Sequence, residues 1–464
     1  MRARAPLLVY GLGRSGGAVV ARARRAGTPV LFVERRPAGP DVDAALAAGA
    51  ERVATVDEAL ARDPSPDTCV AAPGVPIDHP DLVRLRAAGV EVIGEVVWVL
   101  RDTPGRWIGI TGTAGKGTVT RWITDGLLAA GVDAVAGGNI VPALAAVARP
   151  AVTLVVELSS FQLERAPGLR PDVAVVLNLG VDHLDRHGSV AAYHEAKRAL
   201  VRELGPAQTL VGNADDPLVA AWLAASPARV RRFSLVRDAD AFLERGGGRL
   251  WLDGEPLVDV GALRVVGEHQ LANALATALA LDALGVPRAG IARTLADFAG
   301  LPGRYAEVGR LGDVRFIEDS IATRPLAVEA ALRATPAPLV WIAGGVDKGA
   351  DVDALAALLR ERVVLTLGIG ASGPTYAEAA ARHAPAEIIA ETDGRAALRA
   401  AVRRGWHELR ARHDGRGAVL LAPLAASFDQ FEDYVERAAA FRAAVADLAR
   451  DAVRDEGVTW IPCS

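Results

Sequence analysis

Trp107-Ile108-Gly109-Ile110-Thr111-Gly112-Thr113-Ala114-Gly115-Lys116-Gly117-Thr118 decides how this chain is read. An apolar, β-branched run enters a glycine-rich turn, and a helical stretch predicted to reach about Ala130 follows. A phosphate-binding loop needs that order. The strand carries the turn to a sheet edge, glycines let the backbone curl with its amides inward, and the helix N-terminus favours an anion. Lys116 adds a point charge for β- and γ-phosphates. The stretch departs from the strict loop signature twice. Ile110 stands at the first glycine position, and Gly117 stands where a hydroxyl would hold Mg²⁺, leaving Thr118 as the substitute.

Upstream lies a second turn, Gly11-Leu12-Gly13-Arg14-Ser15-Gly16, again between a predicted strand (Leu7–Tyr10) and a predicted helix (about Ser15 to Arg25). Gly11, Gly13 and Gly16 match dinucleotide spacing, and Glu34 follows the next apolar run, where an acid would meet a ribose hydroxyl. Taken alone, this turn admits a nicotinamide dinucleotide, another nucleotide, or no ligand.

Downstream, Val155-Val156-Glu157-Leu158-Ser159-Ser160-Phe161-Gln162 puts a carboxylate at the end of a buried strand. Asn178-Leu179-Gly180-Val181-Asp182-His183-Leu184-Asp185-Arg186-His187 then crowds ionisable groups into one turn after another strand. Glu157, His183 and the phosphate loop are expected at the same sheet edge, where Mg²⁺ or Mn²⁺ bridged by nucleotide phosphates fits. His187 reads as a satisfied loop histidine, and Asp182 and Asp185 read equally well as helix N-caps.

Further outward the same alternation persists. Predicted strands are Val30–Val33, Cys69–Ala71, Glu91–Ile93, Thr153–Val156, Val173–Leu177, Thr209–Val211, Val314–Ile317, Leu339–Ala343, Val363–Leu367 and Ala418–Leu421, with Ala/Leu/Arg-rich helical stretches between. The pattern predicts an α/β chain of parallel sheets. Breaks at Thr103-Pro104-Gly105 and Leu301-Pro302-Gly303 divide its 464 residues into three domains, 1–97, 98–299 and 300–464. A net charge of −4 offers no footprint for nucleic acid or anionic membranes. Two cysteines build neither a disulfide framework nor a zinc site. The opening apolar run is too short for a leader, and no run reaches the ~20 residues of a membrane span. A cytoplasmic protein, not inserted in membranes, is expected.

Several motifs carry a family resemblance. They are Thr111-Gly112-Thr113-x-Gly115-Lys116, Glu157-Leu158-Ser159-Ser160-Phe161-Gln162-Leu163-Glu164, Asp182-His183-Leu184-Asp185-Arg186-His187 and Tyr193-x-x-Ala196-Lys197. Gly267-Glu268-His269…Asn273-Ala274-Leu275, Asp319-Ser320-x-Ala322-Thr323 and Pro423-x-Ala425-x-Ser427-Phe428-Asp429-Gln430-Phe431 follow. In this order, over nearly the whole chain, they resemble the Mur ligase family, and the tail resembles its D-glutamate-adding members.

The resemblance implies a Rossmann-like domain for a uridine-diphosphate substrate, a central ATPase-like domain with the phosphate loop, and a Rossmann-like amino-acid domain. Its reaction joins D-glutamate to UDP-N-acetylmuramoyl-L-alanine through an ATP-derived acyl phosphate, as a step of peptidoglycan synthesis by a monomer whose domains close on the substrates. ATP is expected at Gly112, Thr113, Ala114, Gly115, Lys116, Gly117 and Thr118, and its adenosine at Asn273, Arg304 and Asp319. Catalysis falls to Lys116, Glu157, His183, Lys197 and Asn139. Mg²⁺ or Mn²⁺ is expected on Thr118, Glu157, His183 and a CO₂-derived carbamate of Lys197; otherwise Lys197 is a solvated helix-face lysine. Ser15, Glu34, Arg35, Arg36 and Gly74 would bind the uridine diphosphate, and Asn139, Ser159, Gln162 and His183 the muramoyl part. Thr323, Lys348, Ser427, Phe428 and Tyr434 would recognise D-glutamate.

The chain also departs from the family pattern. Besides Gly117, Val181 precedes Asp182, Gln270 replaces an Asn, Gly303 replaces a His, and Ile321 replaces a lysine that helps hold the amino acid's carboxylate. Arg324 either supplies that lost charge, since a guanidinium grips a carboxylate in bidentate fashion, or is a solvated helix-start residue. Competing readings are a sibling muramyl or folylpolyglutamate-type ligase, a non-catalytic binder of nucleotide-sugar precursors, and a nicotinamide oxidoreductase.

Overall fold

The computed structural model describes residues 4–463 except 245, 247, 266, 302 and 348, and all their side chains except those of residues 185 and 326. The chain forms two compact units, 1–262 with 271–296, and 263–270 with 297–464.

The first unit holds two sheets. One runs Glu51–Arg52, Val30–Val33, Leu7–Tyr10, Thr68–Ala71, Glu91–Ile93, and all its pairings are parallel. Helices cover both faces, which is why Leu7–Tyr10 and Val30–Val33 are apolar at every position rather than alternating. Strand order reverses beside Leu7–Tyr10, and a crevice opens there between the turns after residues 10 and 71. Gly16 is required at that turn, because a Cβ on it would lie 2.1 Å from the Gly11 carbonyl oxygen.

The second sheet runs Glu255–Asp259, Arg249–Leu252, Ala241–Leu243, Arg229–Ser234, Thr209–Asn213, Val173–Val176, Trp107–Thr111, Thr153–Glu157, Ala134–Gly138. Trp107–Thr111 therefore sits directly between the strands that end at Glu157 and just before Asn178. Parallel pairing puts all three C-terminal ends on one edge, which is how the topology gathers a site from stretches some 70 residues apart. The helix Lys116–Ala129 packs behind the loop, with Trp122 buried and its Nε1 donating to the Thr294 carbonyl at 3.0 Å.

The sheet of the second unit runs Ala386–Ile388, Val363–Ile369, Leu339–Gly344, Arg416–Leu421, Asp313–Glu318, Ala306–Leu311, Trp460–Pro462. Its two faces carry separate apolar clusters, one around Phe316, Trp406 and Phe441, the other around Trp341, Leu359 and Tyr376.

The expectation of purely parallel sheets needs correction. Ala241–Leu243, Arg249–Leu252 and Glu255–Asp259 pair antiparallel at the edge of the second sheet, and Ala306–Leu311 pairs antiparallel with both its neighbours. Local turn chemistry explains the first case. Asp253 and Gly254 both take positive φ, 49° and 74°, the two-residue type I′ geometry that folds a strand straight back on itself.

Candidate active site

The phosphate loop is shaped by its glycines and held from outside. Gly115 has φ 84° at the start of the helix, and a Cβ there would lie 2.5 Å from Asn273 Oδ1, so the adenosine candidate Asn273 approaches the loop at that point. Asn178 braces the other side. Its carbonyl accepts from Thr113 N–H at 2.9 Å, its Oδ1 accepts from Ala114 N–H at 2.8 Å, and its Nδ2 donates to the Ala114 carbonyl at 3.2 Å. Thr113 Oγ1 accepts from Gly180 N–H at 2.8 Å and from the Tyr193 hydroxyl at 3.1 Å.

Two lysines meet on this loop. Lys116 Nζ donates to the carbonyls of Gly112 and Thr113, each at 3.0 Å, and Lys197 Nζ donates to the same Gly112 carbonyl at 2.8 Å. Lys197 is 1% exposed, on the helix Val190–Arg198. Burial, with Lys116 adding repulsion and Glu157 opposing it, pulls its pKa from 10.5 down to about 6. At neutral pH its amine is thus mostly uncharged.

Glu157 ends its strand 3% exposed. Its Oε1 accepts from Asn139 Nδ2 at 2.8 Å, whereas Oε2 is buried with no hydrogen-bond partner. An orphaned buried carboxylate oxygen is costly unless something arrives to meet it, and a divalent cation meets that need. Thr118 is also buried. Among the described residues no three His, Cys, Asp or Glu side chains form a metal cage, so an ion here would draw further oxygens from phosphate, water or a modified Lys197.

His183 occupies the left-handed region, φ 51°, at the start of the helix Leu184–His187. Asp182 Oδ1 accepts its backbone N–H at 2.8 Å, and its ring lies 4.6 Å from Phe161. His187 is enclosed, with Nδ1 3.0 Å from Glu164 Oε1 and Nε2 2.9 Å from Ser160 Oγ, and burial lowers its pKa. Ser159 and Gln162 form a reciprocal capping box on Ser160–Leu163, so both serve the local backbone.

At the first turn, a cavity of about 180 Å³ is lined by Tyr10, Gly11, Glu34, Arg35, Gly74 and His79. Glu34 Oε2 accepts from Leu12 N–H at 2.9 Å, and Arg36 pairs with Oε1 at 3.2 Å. Burial alone would raise the Glu34 pKa, but the hydrogen bonds from Arg36 and Leu12 outweigh it and bring it to about 2. Glu34 therefore braces the turn as a carboxylate. Ser15 instead faces the buried Glu95, whose pKa is raised by burial against hydrogen bonds from Ala145 and Ser15.

In the second unit Asp319, Thr323 and Arg324 follow the parallel strand Asp313–Glu318, and Ser427 and Phe428 follow Arg416–Leu421. Asp319 Oδ1 accepts from Tyr305 N–H at 3.1 Å. Burial raises the Asp319 pKa to about 7, with Glu318 adding to the rise and Arg304 opposing it. Thr323 is half-buried and Arg324 stands exposed at the start of the helix Pro325–Ala334, with partial desolvation lowering its pKa. Ser427 is buried, Phe428 is 70% exposed, and Tyr434 opens the long final helix. Lys348 lies outside the described residues.

Two organising residues escaped the sequence reading. Asn178 had a signal, a polar side chain immediately after a buried strand. Arg437 had none, being one arginine in an arginine-rich helix. It is buried, and its guanidinium donates to Ser320 Oγ (3.0 Å) and to the carbonyls of Ser320 (2.8 Å), Gly344 (3.3 Å) and Ala425 (3.0 Å). It thereby ties together the loops after three strands.

Known proteins resemble this chain over nearly its whole length. The profile of the Mur ligase middle domain matches residues 110–281. The UDP-N-acetylmuramoylalanine–D-glutamate ligase of Thermus thermophilus is 45% identical over 462 residues, spanning 98% of this chain and 99% of that protein. The ligase of the same name from Deinococcus radiodurans is 43% identical, over 95% of this chain and 92% of its own. Among solved structures, MurF of Acinetobacter baumannii aligns with TM-score 0.59 at 19% identity, covering 92% of each chain. The UDP-N-acetylmuramate-alanine ligase MurC of Thermotoga maritima aligns with TM-score 0.58 at 19% identity, over 96% of this chain and 100% of that one. The chain belongs to the Mur ligase family, alongside its UDP-N-acetylmuramoylalanine–D-glutamate ligase relatives.

Proposed function

We propose that this chain joins D-glutamate to UDP-N-acetylmuramoyl-L-alanine at the expense of ATP, as a cytoplasmic monomer with functional domains at 1–97, 98–299 and 300–464. One observation carries the reading. A loop lysine and a buried lysine share the Gly112 carbonyl, and a half-partnered buried carboxylate acts on the second of them, in a chain that matches D-glutamate ligases almost end to end.

The substrate's alanine carboxylate takes the γ-phosphoryl group of ATP, and ADP leaves. The amine of D-glutamate then attacks the acyl carbon, a proton is lost from nitrogen, and phosphate departs as the amide forms. The loop amides and Lys116 hold the phosphates and offset their charge, and Asn178 fixes the loop so that little reorganisation remains for the reaction. Asn139 fixes the carboxylate of Glu157. Bound Mg²⁺ (or Mn²⁺) would neutralise phosphate charge, held by Glu157 Oε2, His183, Thr118 and a carbamate on Lys197. The uncharged Lys197 amine suits CO₂, because only a free lone pair can form the N–C bond, with release of one proton. Arg35, Arg36 and Gly74 are assigned to the uridine nucleotide, with Ser15 and Glu34 shaping its turn. Asn273, Arg304 and Asp319 are assigned to adenosine.

Phosphate release in the presence of ATP and UDP-N-acetylmuramoyl-L-alanine tests the assignment, with D-glutamate, L-glutamate, L-lysine or meso-diaminopimelate offered in turn. Release with D-glutamate above the others is expected, and a preference for any of the other three overturns it.

Thr323, Arg324, Lys348, Ser427, Phe428 and Tyr434 are assigned to D-glutamate. With Ile321 unable to supply charge, Arg324 takes the carboxylate. Arg324→Ala is expected to raise the KM for D-glutamate about tenfold or more, the scale of a lost charge-assisted pair, with the KM for ATP unchanged. An unchanged D-glutamate KM removes this role.

Asp319 supplies a pH dependence. With its pKa near 7, the carboxyl is protonated in mild acid and becomes a full acceptor for ribose hydroxyls only as pH rises. The KM for ATP is therefore expected to fall several-fold between about pH 6 and 8 in the wild type and to stay flatter in Asp319→Asn. Folding stability runs the opposite way. The unfolded carboxyl titrates near 4, so the folded chain loses stability from this group as pH rises from about 4 to about 7. Equal KM slopes in both proteins would contradict the ribose contact.

A further inference from the structure

The turn Ala72–Pro76 forms one wall of the cavity at the first turn, through Gly74, Val75 and Pro76. Four consecutive carbonyls of that turn are taken by two guanidinium groups from the second sheet's side of the unit. Arg165 donates to Ala72 at 3.1 Å and to Val75. Arg186 donates to Val75 at 2.8 Å, to Gly74 at 3.3 Å and to Pro73 at 3.5 Å.

Neither arginine is an ordinary surface residue. Arg165 is 3% exposed. Arg186 is almost enclosed, paired with Glu164 at 2.9 Å and lying 5.0 Å over the Phe161 ring. Glu164 in turn holds His187, so the chain of contacts runs from the turn into the segment that carries His183. Placing two like charges side by side is costly, and burial together with Arg186 lowers the Arg165 pKa to about 10. A single hydrogen-bonded arginine would have sufficed merely to cover the turn. Together the pair bonds every carbonyl from residue 72 to 75.

We propose that Arg165 and Arg186 are positioning residues for the uridine nucleotide, clamping the Ala72–Pro76 turn in its binding shape from the segment that carries Glu157 and His183. This rests on the uridine assignment of that cavity. Lysine at either position keeps the charge but loses the planar fork whose separate nitrogens reach carbonyls of different residues, since all its donors radiate from one nitrogen.

Calorimetric titration with UDP alone, on the full chain and on Arg165→Lys and Arg186→Lys, separates the two claims. The dissociation constant for UDP is expected to rise about tenfold or more in each variant, with the KM for ATP within twofold of wild type. Unaltered UDP affinity in a variant that keeps its circular dichroism spectrum and melting temperature overturns the clamp. Should Arg165→Lys fail to fold, Arg186→Lys, at the less buried of the two arginines, decides alone. A wild-type chain that binds no UDP overturns the uridine assignment itself, and the clamp with it.

Discussion

Lys116→Ala is expected to lower ATP-dependent phosphate release by about 10³-fold while leaving UDP affinity within twofold. The magnitude follows from removing a preorganised charge from a site where phosphate charge must be stabilised; losing one such donor typically costs 10²–10³-fold, and a full cation costs more. The selectivity follows from the fold. Lys116 contacts carbonyls of its own loop, whereas the cavity proposed for uridine is built by the turns after residues 10 and 71 of the other sheet. Melting temperature is expected to move little, since Asn178 and Thr113 still brace the loop when the lysine's carbonyl contacts are lost. Rates near wild type would sink the phosphate-loop assignment, and a parallel loss of UDP binding would point to general unfolding.

Lys197→Ala is expected to be nearly as severe, about 10²-fold or more, but recoverable in part by added acetate or propionate. A carbamate presents two oxygens where an ammonium presents hydrogens, so a small carboxylate diffusing into the vacated space restores the missing group. The modification would also reverse the local electrostatics. Lys116 now repels a protonated Lys197, and a carbamate would attract it. Lys197→Arg is the control: it keeps a cation, leaves no space and forms no carbamate, so carboxylates should not revive it. Absence of rescue in a folded Lys197→Ala protein would leave Lys197 as a structural amine on the Gly112 carbonyl.

Much of this was legible in the sequence, for identifiable reasons. Strands buried on both faces read as short apolar runs, so Leu7–Tyr10, Val30–Val33 and Trp107–Thr111 announce themselves. Positions of Lys116, Glu157 and His183 at strand ends follow from the same runs. Strands at sheet edges carry weaker patterns. Glu51–Arg52 has two residues and Trp460–Pro462 three, and neither shows any period. The Asp253-Gly254 hairpin is marked in the sequence only by its turn residues, which a search for strand runs passes over. Glu34 illustrates a different limit. A dinucleotide rule reads an acid at that place as a ribose partner, yet here it is tied to Leu12 and Arg36. Arg165, Arg186 and Arg437 are unreadable in principle from spacing, because what distinguishes them from the chain's many surface arginines is the set of carbonyls that the fold brings to them.

Arg437 bears on how the protein is made. Its four acceptors come from residues 320, 344 and 425, but the guanidinium that fastens them sits in the last helix, Tyr434–Glu456. During translation Ser320 and Gly344 emerge 117 and 93 residues before their fastener, and Ala425 only 12 before it. These loops are thus fastened only once that helix has emerged, and a ribosome-stalled chain cut short of it should already hold the two sheets of the first unit folded.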